Sequence, residues 1–294
     1  MRSSNPVFSR RGFSRDNGAA GFNAAPQAGG PAVGTQGGNP YAQAPAGNPY
    51  ATNPYAQDAA QYGAPQAPAR TGGMTLDDVV SRTVLTLGTV IVFAALAWAV
   101  LPVTPTSYGL AIGAGLVAFV LAIVQSFKRK ASPALILGYA AFEGVFLGVV
   151  SEMFNSYAQG APFQAVVGTF AVAGATLFVY KQRWIRVTAR YARIGMAVAI
   201  AFVGLMLVNL ILVVTGVADE GGLRGTGPLG IAIGVLAILI GAFFLTLDFK
   251  QIEDGIAYGA PKDEAWLGAF GLTLSLVWIY FEMLRLATIL GGND

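Results

Sequence analysis

Long apolar stretches, separated by short polar segments, occupy the chain from Thr75 almost to its C-terminus. Seven of them contain about twenty residues, which is the length that an α-helix needs to cross the ~30 Å hydrocarbon layer of a bilayer. The alternation of apolar and polar positions that marks a transmembrane β-barrel is absent. The pattern therefore predicts an all-α fold, a bundle of seven transmembrane helices. The predicted spans are Val84–Val103, Tyr108–Phe127, Ser132–Val150, Ala161–Tyr180, Ile194–Gly216, Pro228–Leu247 and Ala265–Leu286.

The first part of the chain has a different composition, rich in Gly, Ala, Pro, Asn and Gln and poor in aliphatic side chains. Short pieces that begin Asn-Pro-Tyr recur there at irregular spacing, which does not fit a stacked structural repeat. A segment with so few aliphatic residues cannot bury enough apolar surface to offset the entropy lost on ordering. We predict a disordered tail over 1–73 and a transmembrane domain over 74–292. Thr75 and Asp78 fit a capping box at the start of the first helix.

The overall composition excludes an ordinary soluble protein. Hydrophobic residues form 54% of the chain and charged residues 11%, against roughly 25% charged residues in a typical globular domain. The chain has no Cys and no His, which excludes disulfides, Cys/His zinc sites and catalytic triads that use an imidazole base. We expect the lipid bilayer as a partner, no enzymatic activity, no cofactor and no nucleic-acid partner.

The distribution of basic residues predicts the topology. All of the 18 Lys and Arg residues except Arg224 and Arg285 lie in the tail or in the loops after the second, fourth and sixth spans. Because cytoplasmic loops carry an excess of Lys and Arg, these segments are expected on the cytoplasmic side. The N-terminus is therefore predicted to be cytoplasmic and the C-terminus to be outside.

Three spans carry pairs of glycines four residues apart. Small residues at this spacing let helix backbones approach closely within lipid, so helix packing is the favoured interpretation. A flexible hinge for gating is the alternative. The pairs are Gly109 and Gly113, Gly144 and Gly148, and Gly230 and Gly234.

Four ionisable residues lie within or at the ends of the predicted spans: Glu143, Asp248, Glu282 and Arg285. Charged groups are costly in hydrocarbon and often mark ion or proton pathways. Glu143 lies ~16 Å into its span, near the middle of the membrane, and a proton-dependent role is chemically reasonable there. Structural roles are the alternative, because Glu282 and Arg285 could neutralise each other and Asp248 could be an interfacial carboxylate beside Lys250. The spacing of these residues does not indicate whether a metal binds.

Three segments carry a resemblance to a known family: Ala141–Gly148, Leu247–Glu253 and Val277–Leu286. Over residues 74–292 the chain resembles the Bax inhibitor-1 family, and in particular its bacterial YccA-like branch. The resemblance implies a seven-helix bundle in a bacterial inner membrane, with the last helix near its centre. It also implies a pH-sensitive leak of calcium or other cations, sensed by an acidic pair in the sixth and seventh helices.

Asp248 matches the first member of that pair. The position of the second falls near Trp278, which cannot ionise, and Glu282 lies one helical turn further on the same face. If the turn between the sixth and seventh helices is centred near Gly259, Asp248 should be level with Phe270. Phe270 lies ~18 Å from Glu282 along the axis of the seventh helix. Hairpin geometry thus argues against a direct pair, and Glu143 and Glu282 are predicted to be closer in depth.

Two functions remain open at this point. The first is a cation leak pathway gated by protonation of Asp248, Glu143 or both, for which the embedded acids and the resemblance argue. The second is a non-transporting membrane adaptor that modulates a membrane protease or a stress-response partner through its tail and basic loops. An intramembrane enzyme is a weaker third hypothesis, because no nucleophile motif or level pair of aspartates is visible.

Overall fold

The computed structural model describes residues 72–128, 130–219 and 221–292. Of the predicted tail only Gly72 and Gly73 fall in this range, so the predicted disorder lies outside the described residues. The described residues form seven helices that are long and apolar enough to cross a membrane, and they contain no β-strand. The predicted all-α, seven-helix architecture is confirmed. The helices are α1 Leu76–Val100, α2 Pro105–Phe127, α3 Pro133–Tyr157, α4 Ala161–Lys181, α5 Ala189–Val214, α6 Pro228–Ala257 and α7 Ala265–Gly291.

Several helices extend beyond the apolar stretches from which they were predicted. The helix α6 continues from Leu247 to Ala257, and α3 continues from Val150 to Tyr157. Hydropathy detects the part of a helix that lies in hydrocarbon. The backbone hydrogen bonds of the helix continue through polar residues at the membrane surface. Asp248 therefore lies inside the helix α6, directly after the last residue of the predicted apolar span.

The start of α1 follows its sequence signal. The Thr75 hydroxyl accepts a hydrogen bond from Asp78 N, and the Asp78 carboxylate accepts one from Thr75 N, both at 3.2 Å. The two bonds satisfy backbone donors that have no partner within the helix. The predicted capping box is confirmed.

The last helix, α7, is the central element of the bundle. It packs against α1, α3, α4 and α6, as the resemblance implied. By contrast, α5 lies at the edge and packs on α6 and on the short helical turn Gly222–Arg224. The helices α1 and α2 are joined by a short loop, but both pack mainly along α3 and not along each other.

The beginning of α1 is attached to the loop between α6 and α7, an arrangement that we call the N-terminal clasp. Met74 N donates to Ala260 O at 2.8 Å, and the Lys262 ammonium lies 2.9 Å from the Asp78 carboxylate. The Arg82 guanidinium donates to the carbonyl of Lys262. These contacts hold the start of the first helix against the turn that precedes the last one.

The three glycine pairs have different roles. Gly144 and Gly148 lie where α1 crosses α3: a Cβ atom on Gly144 would lie 2.5 Å from Val90 O, and one on Gly148 would press still closer on Ala94 O. Close backbone approach is therefore confirmed for this pair. Gly109 and Gly113, by contrast, have open space around them, so packing does not explain the pair on α2.

The third pair accommodates other parts of the chain. A side chain on Gly230 would overlap the carbonyl of Gly225 in the preceding loop. A Cβ atom on Gly234 would lie 2.6 Å from a terminal nitrogen of the Arg285 guanidinium. Both glycines therefore make room for the α5–α6 loop and for the arginine that binds it, rather than for a neighbouring helix backbone.

Candidate functional site

Glu282 is held in an ion pair with two arginines. Its side chain is only 3% exposed, and both carboxylate oxygens accept from one terminal nitrogen of Arg224, at 2.6 and 2.5 Å. Arg285, one turn away on α7, lies 3.5 Å from the same carboxylate. The Glu282–Arg285 contact considered from the sequence is present, but Arg224 is the nearer partner and was not predicted.

Arg224 reaches this position from the loop between α5 and α6. Asn209 on α5 accepts a hydrogen bond from Leu223 N at 2.6 Å, which fixes the helical turn that carries Arg224. Arg285 donates to the carbonyls of Arg224 at 2.9 Å and Gly230 at 3.0 Å. The cluster of Glu282, Arg224 and Arg285 therefore attaches the α5–α6 loop to the central helix.

Asp248 has a different environment. Its Oδ2 atom accepts a hydrogen bond from the Ser275 hydroxyl on α7 at 2.6 Å, and its Oδ1 atom faces Gly271. The hairpin turn contains Gly259 in the left-handed region, with φ 66°, and the contacts of Asp248 at Gly271 and Ser275 lie one to five residues beyond the predicted level at Phe270. No ion pair to Asp248 is recorded among the described side chains.

Lys250 does not neutralise Asp248, because it forms an ion pair with Asp254 one turn further along α6. The alternative of an interfacial carboxylate beside Lys250 is therefore not supported by an ion pair between the two residues. What remains is a half-buried carboxyl group between two membrane-spanning helices, with a neutral hydroxyl as its hydrogen-bond partner.

The position on α7 that meets Asp248 is Ser275 and not Trp278, which was the position deduced from the resemblance. The Trp278 indole N–H donates to Ala237 O at 2.9 Å, so it faces α6 one turn deeper. Glu282 lies seven residues beyond Ser275, or ~10 Å along the helix. The described helices thus contain no direct Asp248–Glu282 pair, as the hairpin geometry predicted.

Glu143 lies in the middle of α3 and is half-buried. Tyr139 packs edge-on against Phe270 with ring centroids 5.4 Å apart, and the Ser151 hydroxyl lies 2.7 Å from the Tyr280 hydroxyl. Because both contacts join α3 to α7 in the same direction, Glu143 must be level with the part of α7 between Phe270 and Tyr280.

Glu143 is therefore closer in depth to Ser275, and so to Asp248, than to Glu282. Glu143 was predicted to be closer in depth to Glu282 than Asp248 is, whereas the contacts place Glu143 and Asp248 near the same level of α7. In the part of the chain that the structure describes, the Glu143 carboxylate has no recorded hydrogen bond or ion pair. Two carboxyl groups without a cationic partner thus lie near one level of the bundle.

The site offers few ligands for a tightly held metal ion. Across the described residues no group of three or more Asp and Glu side chains is close enough to bind one metal, whereas a tight Ca²⁺ site takes about six to eight oxygens. Isolated carboxyl groups with hydroxyl and carbonyl neighbours would bind a passing cation only weakly. Such groups can still exchange protons.

The fold and the site define a polytopic helical membrane protein in which two acids beside the central helix have no cationic partner among the described residues. The protein-family model described as Bax inhibitor 1 like matches residues 5–292, and the chain belongs to this family. The match extends beyond the 74–292 range of the resemblance, into the predicted tail. A comparison with curated proteins gives no match.

Proposed function

We propose that this member of the family is a leak pathway for calcium or other cations, which opens and closes with protonation of Asp248 and Glu143. The observation that carries the proposal is the contrast among the three acids singled out in the sequence, Glu143, Asp248 and Glu282. Glu282 is neutralised by Arg224 and Arg285, whereas neither Asp248 nor Glu143 has a recorded cationic partner in the described chain. An uncompensated charge within a membrane is costly and is typical of ion and proton pathways.

The Asp248–Ser275 hydrogen bond connects this chemistry to the architecture. Ser275 donates to the Asp248 carboxylate, which in its charged form can only accept hydrogen bonds. On protonation the carboxyl group loses its charge and gains a donor, so the contact between α6 and the central helix changes. Glu143 adds a second proton-dependent charge on the other side of α7. Transport rather than catalysis is the proposed activity, since the chain has neither His nor Cys.

The proposed location is a bacterial inner membrane, with the N-terminus in the cytoplasm and the C-terminus outside. The distribution of Lys and Arg over alternate loops supports this orientation. Alkaline phosphatase, which is active only outside the cytoplasm, should be active when fused after Asp294 and inactive when inserted beside Lys130. The reverse pattern, or the same result at both positions, would contradict the proposed orientation.

Calcium release from liposomes tests the proposed leak. Wild-type release should change with pH by up to about tenfold per pH unit for each proton coupled to opening. Asp248→Asn and Glu143→Gln each imitate the protonated form, so each should release calcium like acidified wild type and respond less to pH. The matched controls are Asp263→Asn and Glu264→Gln, which make the same changes at exposed positions and should leave the response unchanged.

The idea fails if folded protein releases no calcium at any pH, or if both variants keep the full pH response of the wild type. Deleting residues 1–71 separates a leak from the adaptor alternative. The deletion ends before Met74 so that the N-terminal clasp stays intact. A leak pathway should keep its calcium release after this deletion, whereas an adaptor that acts through the tail should lose its membrane partner in a pull-down.

A further inference from the structure

A cavity of about 530 Å³ lies between α1 and α4, with α3 and α7 forming its floor. Its walls are almost entirely apolar, and the floor consists of Leu147, Gly148 and Ser151 from α3 with Leu276, Val277 and Tyr280 from α7. We propose that this cavity binds an acyl chain of a membrane lipid. Asp248 and Glu143 do not line it, so the inference is independent of the proposed cation leak.

The few polar groups in the cavity are largely satisfied by the protein. The Ser151 and Tyr280 hydroxyls are joined by one hydrogen bond of 2.7 Å, and the Thr169 hydroxyl donates to Ala165 O at 2.7 Å. A buried water needs two to four polar partners, and a cation needs several oxygens. The lining therefore favours an apolar occupant over water or an ion.

The position of the cavity selects a lipid chain among apolar occupants. Phe163 and Phe170 on the α4 rim are 74% and 62% exposed, and they lie within a membrane-spanning helix. The cavity thus opens sideways, where the surrounding medium is lipid. Pockets of this size commonly hold small apolar ligands, and in a bilayer the acyl chains are the most abundant of these.

The length of the cavity also fits one leaflet. Its wall on α1 runs from Leu87 to Trp98, or eleven residues, which is ~16 Å along a helix. Half of the hydrocarbon layer is ~15 Å thick. Trp98 lies near the end of α1, where an indole is favoured at the membrane interface. A chain from the leaflet opposite the basic loops would therefore fill the cavity from its surface end to the bilayer centre.

Photolabelling in nanodiscs tests the proposal. The probe is phosphatidylcholine that carries a diazirine on one acyl chain, and labelled residues are mapped by mass spectrometry. Wild-type protein should be labelled on the floor, at Leu147 and Val277. Val166→Trp on the α4 rim would fill part of the space. The acyl chain would then lose the burial of about two methylene groups. Its binding, and therefore the labelling of the cavity floor, should fall about tenfold.

Val203→Trp on α5 is the matched control, because Val203 is also exposed, at 53%, but does not line the cavity. It should leave floor labelling unchanged. If Val166→Trp fails to fold, Ala95→Phe on the opposite rim provides the same test. Floor labelling no stronger than that on the outer surface of α5, or equal floor labelling in the rim and control variants, would each overturn the proposal.

Discussion

Replacing Glu282 with alanine should lower the free energy of unfolding by about 3–5 kcal/mol, the typical cost of removing one partner from a buried ion pair. The substitution would leave Arg224 and Arg285 without their shared counter-charge, close to each other within the bundle. Denaturant unfolding of the purified protein in detergent micelles, followed by tryptophan fluorescence, measures the loss.

Two further variants make this prediction specific. Glu264→Ala removes an exposed carboxylate and should change stability by less than about 0.5 kcal/mol. Arg224→Met leaves one arginine with Glu282, so the pair stays neutral, and the loss should be smaller than in Glu282→Ala. An equal or larger loss in Arg224→Met would show that the loop contact, rather than charge compensation, dominates the stability of the cluster.

Gly148→Ala should have the second large effect on stability. The added methyl group would press on the backbone carbonyl of Ala94, and a backbone atom cannot rotate away as a flexible side chain can. The helices α1 and α3 would have to separate, and we expect a loss of about 1–3 kcal/mol, the usual cost of overpacking.

The matched control is Gly113→Ala on α2, where the same methyl group meets open space. Alanine favours the helix over glycine by roughly 0.5–1 kcal/mol, so this variant should be neutral or slightly more stable. The two substitutions are chemically identical, and opposite signs are expected in the same unfolding measurement. Equal effects would mean that the close approach of α1 and α3 does not limit packing.

The helices were predictable from the sequence because a membrane span is a local property of about twenty residues. Their ends were less predictable. The prediction stopped α6 at Leu247 although the helix continues to Ala257, since a change in polarity does not break the backbone hydrogen-bond ladder. The end of the sixth apolar span is therefore not the end of α6, and Asp248 lies within the helix.

The candidate site was predictable only where the geometry is local. Counting residues around Gly259 placed Asp248 one to five residues short of its contacts on α7, a small error because the two helices are joined by a short turn. The contact between Arg224 and Glu282 joins residues 58 positions apart, and the sequence has no local pattern that indicates it. The depth of Glu143 relative to Glu282 depends on how α3 slides along α7, which only packing determines.

Ser275 was missed for a related reason. A serine in an apolar helix has no charge to attract attention, and its importance depends on the carboxylate that it faces. The resemblance directed attention to an acidic partner for Asp248, whereas the structure has a neutral hydroxyl there. A sensor built from a single acid and a hydroxyl differs from an acidic pair, because the two carboxyl groups of a pair compete for one proton.

The N-terminal clasp has a mechanical consequence. Because Met74 and Asp78 hold the turn at Ala260 and Lys262, tension on the chain ahead of Gly73 is transmitted to that turn. Ser275 lies thirteen residues beyond Lys262, or ~20 Å deeper along a helix. A protein that binds and pulls the N-terminal segment would therefore pull on the same hairpin that holds Asp248 against Ser275, and a force at the membrane surface would reach the membrane interior.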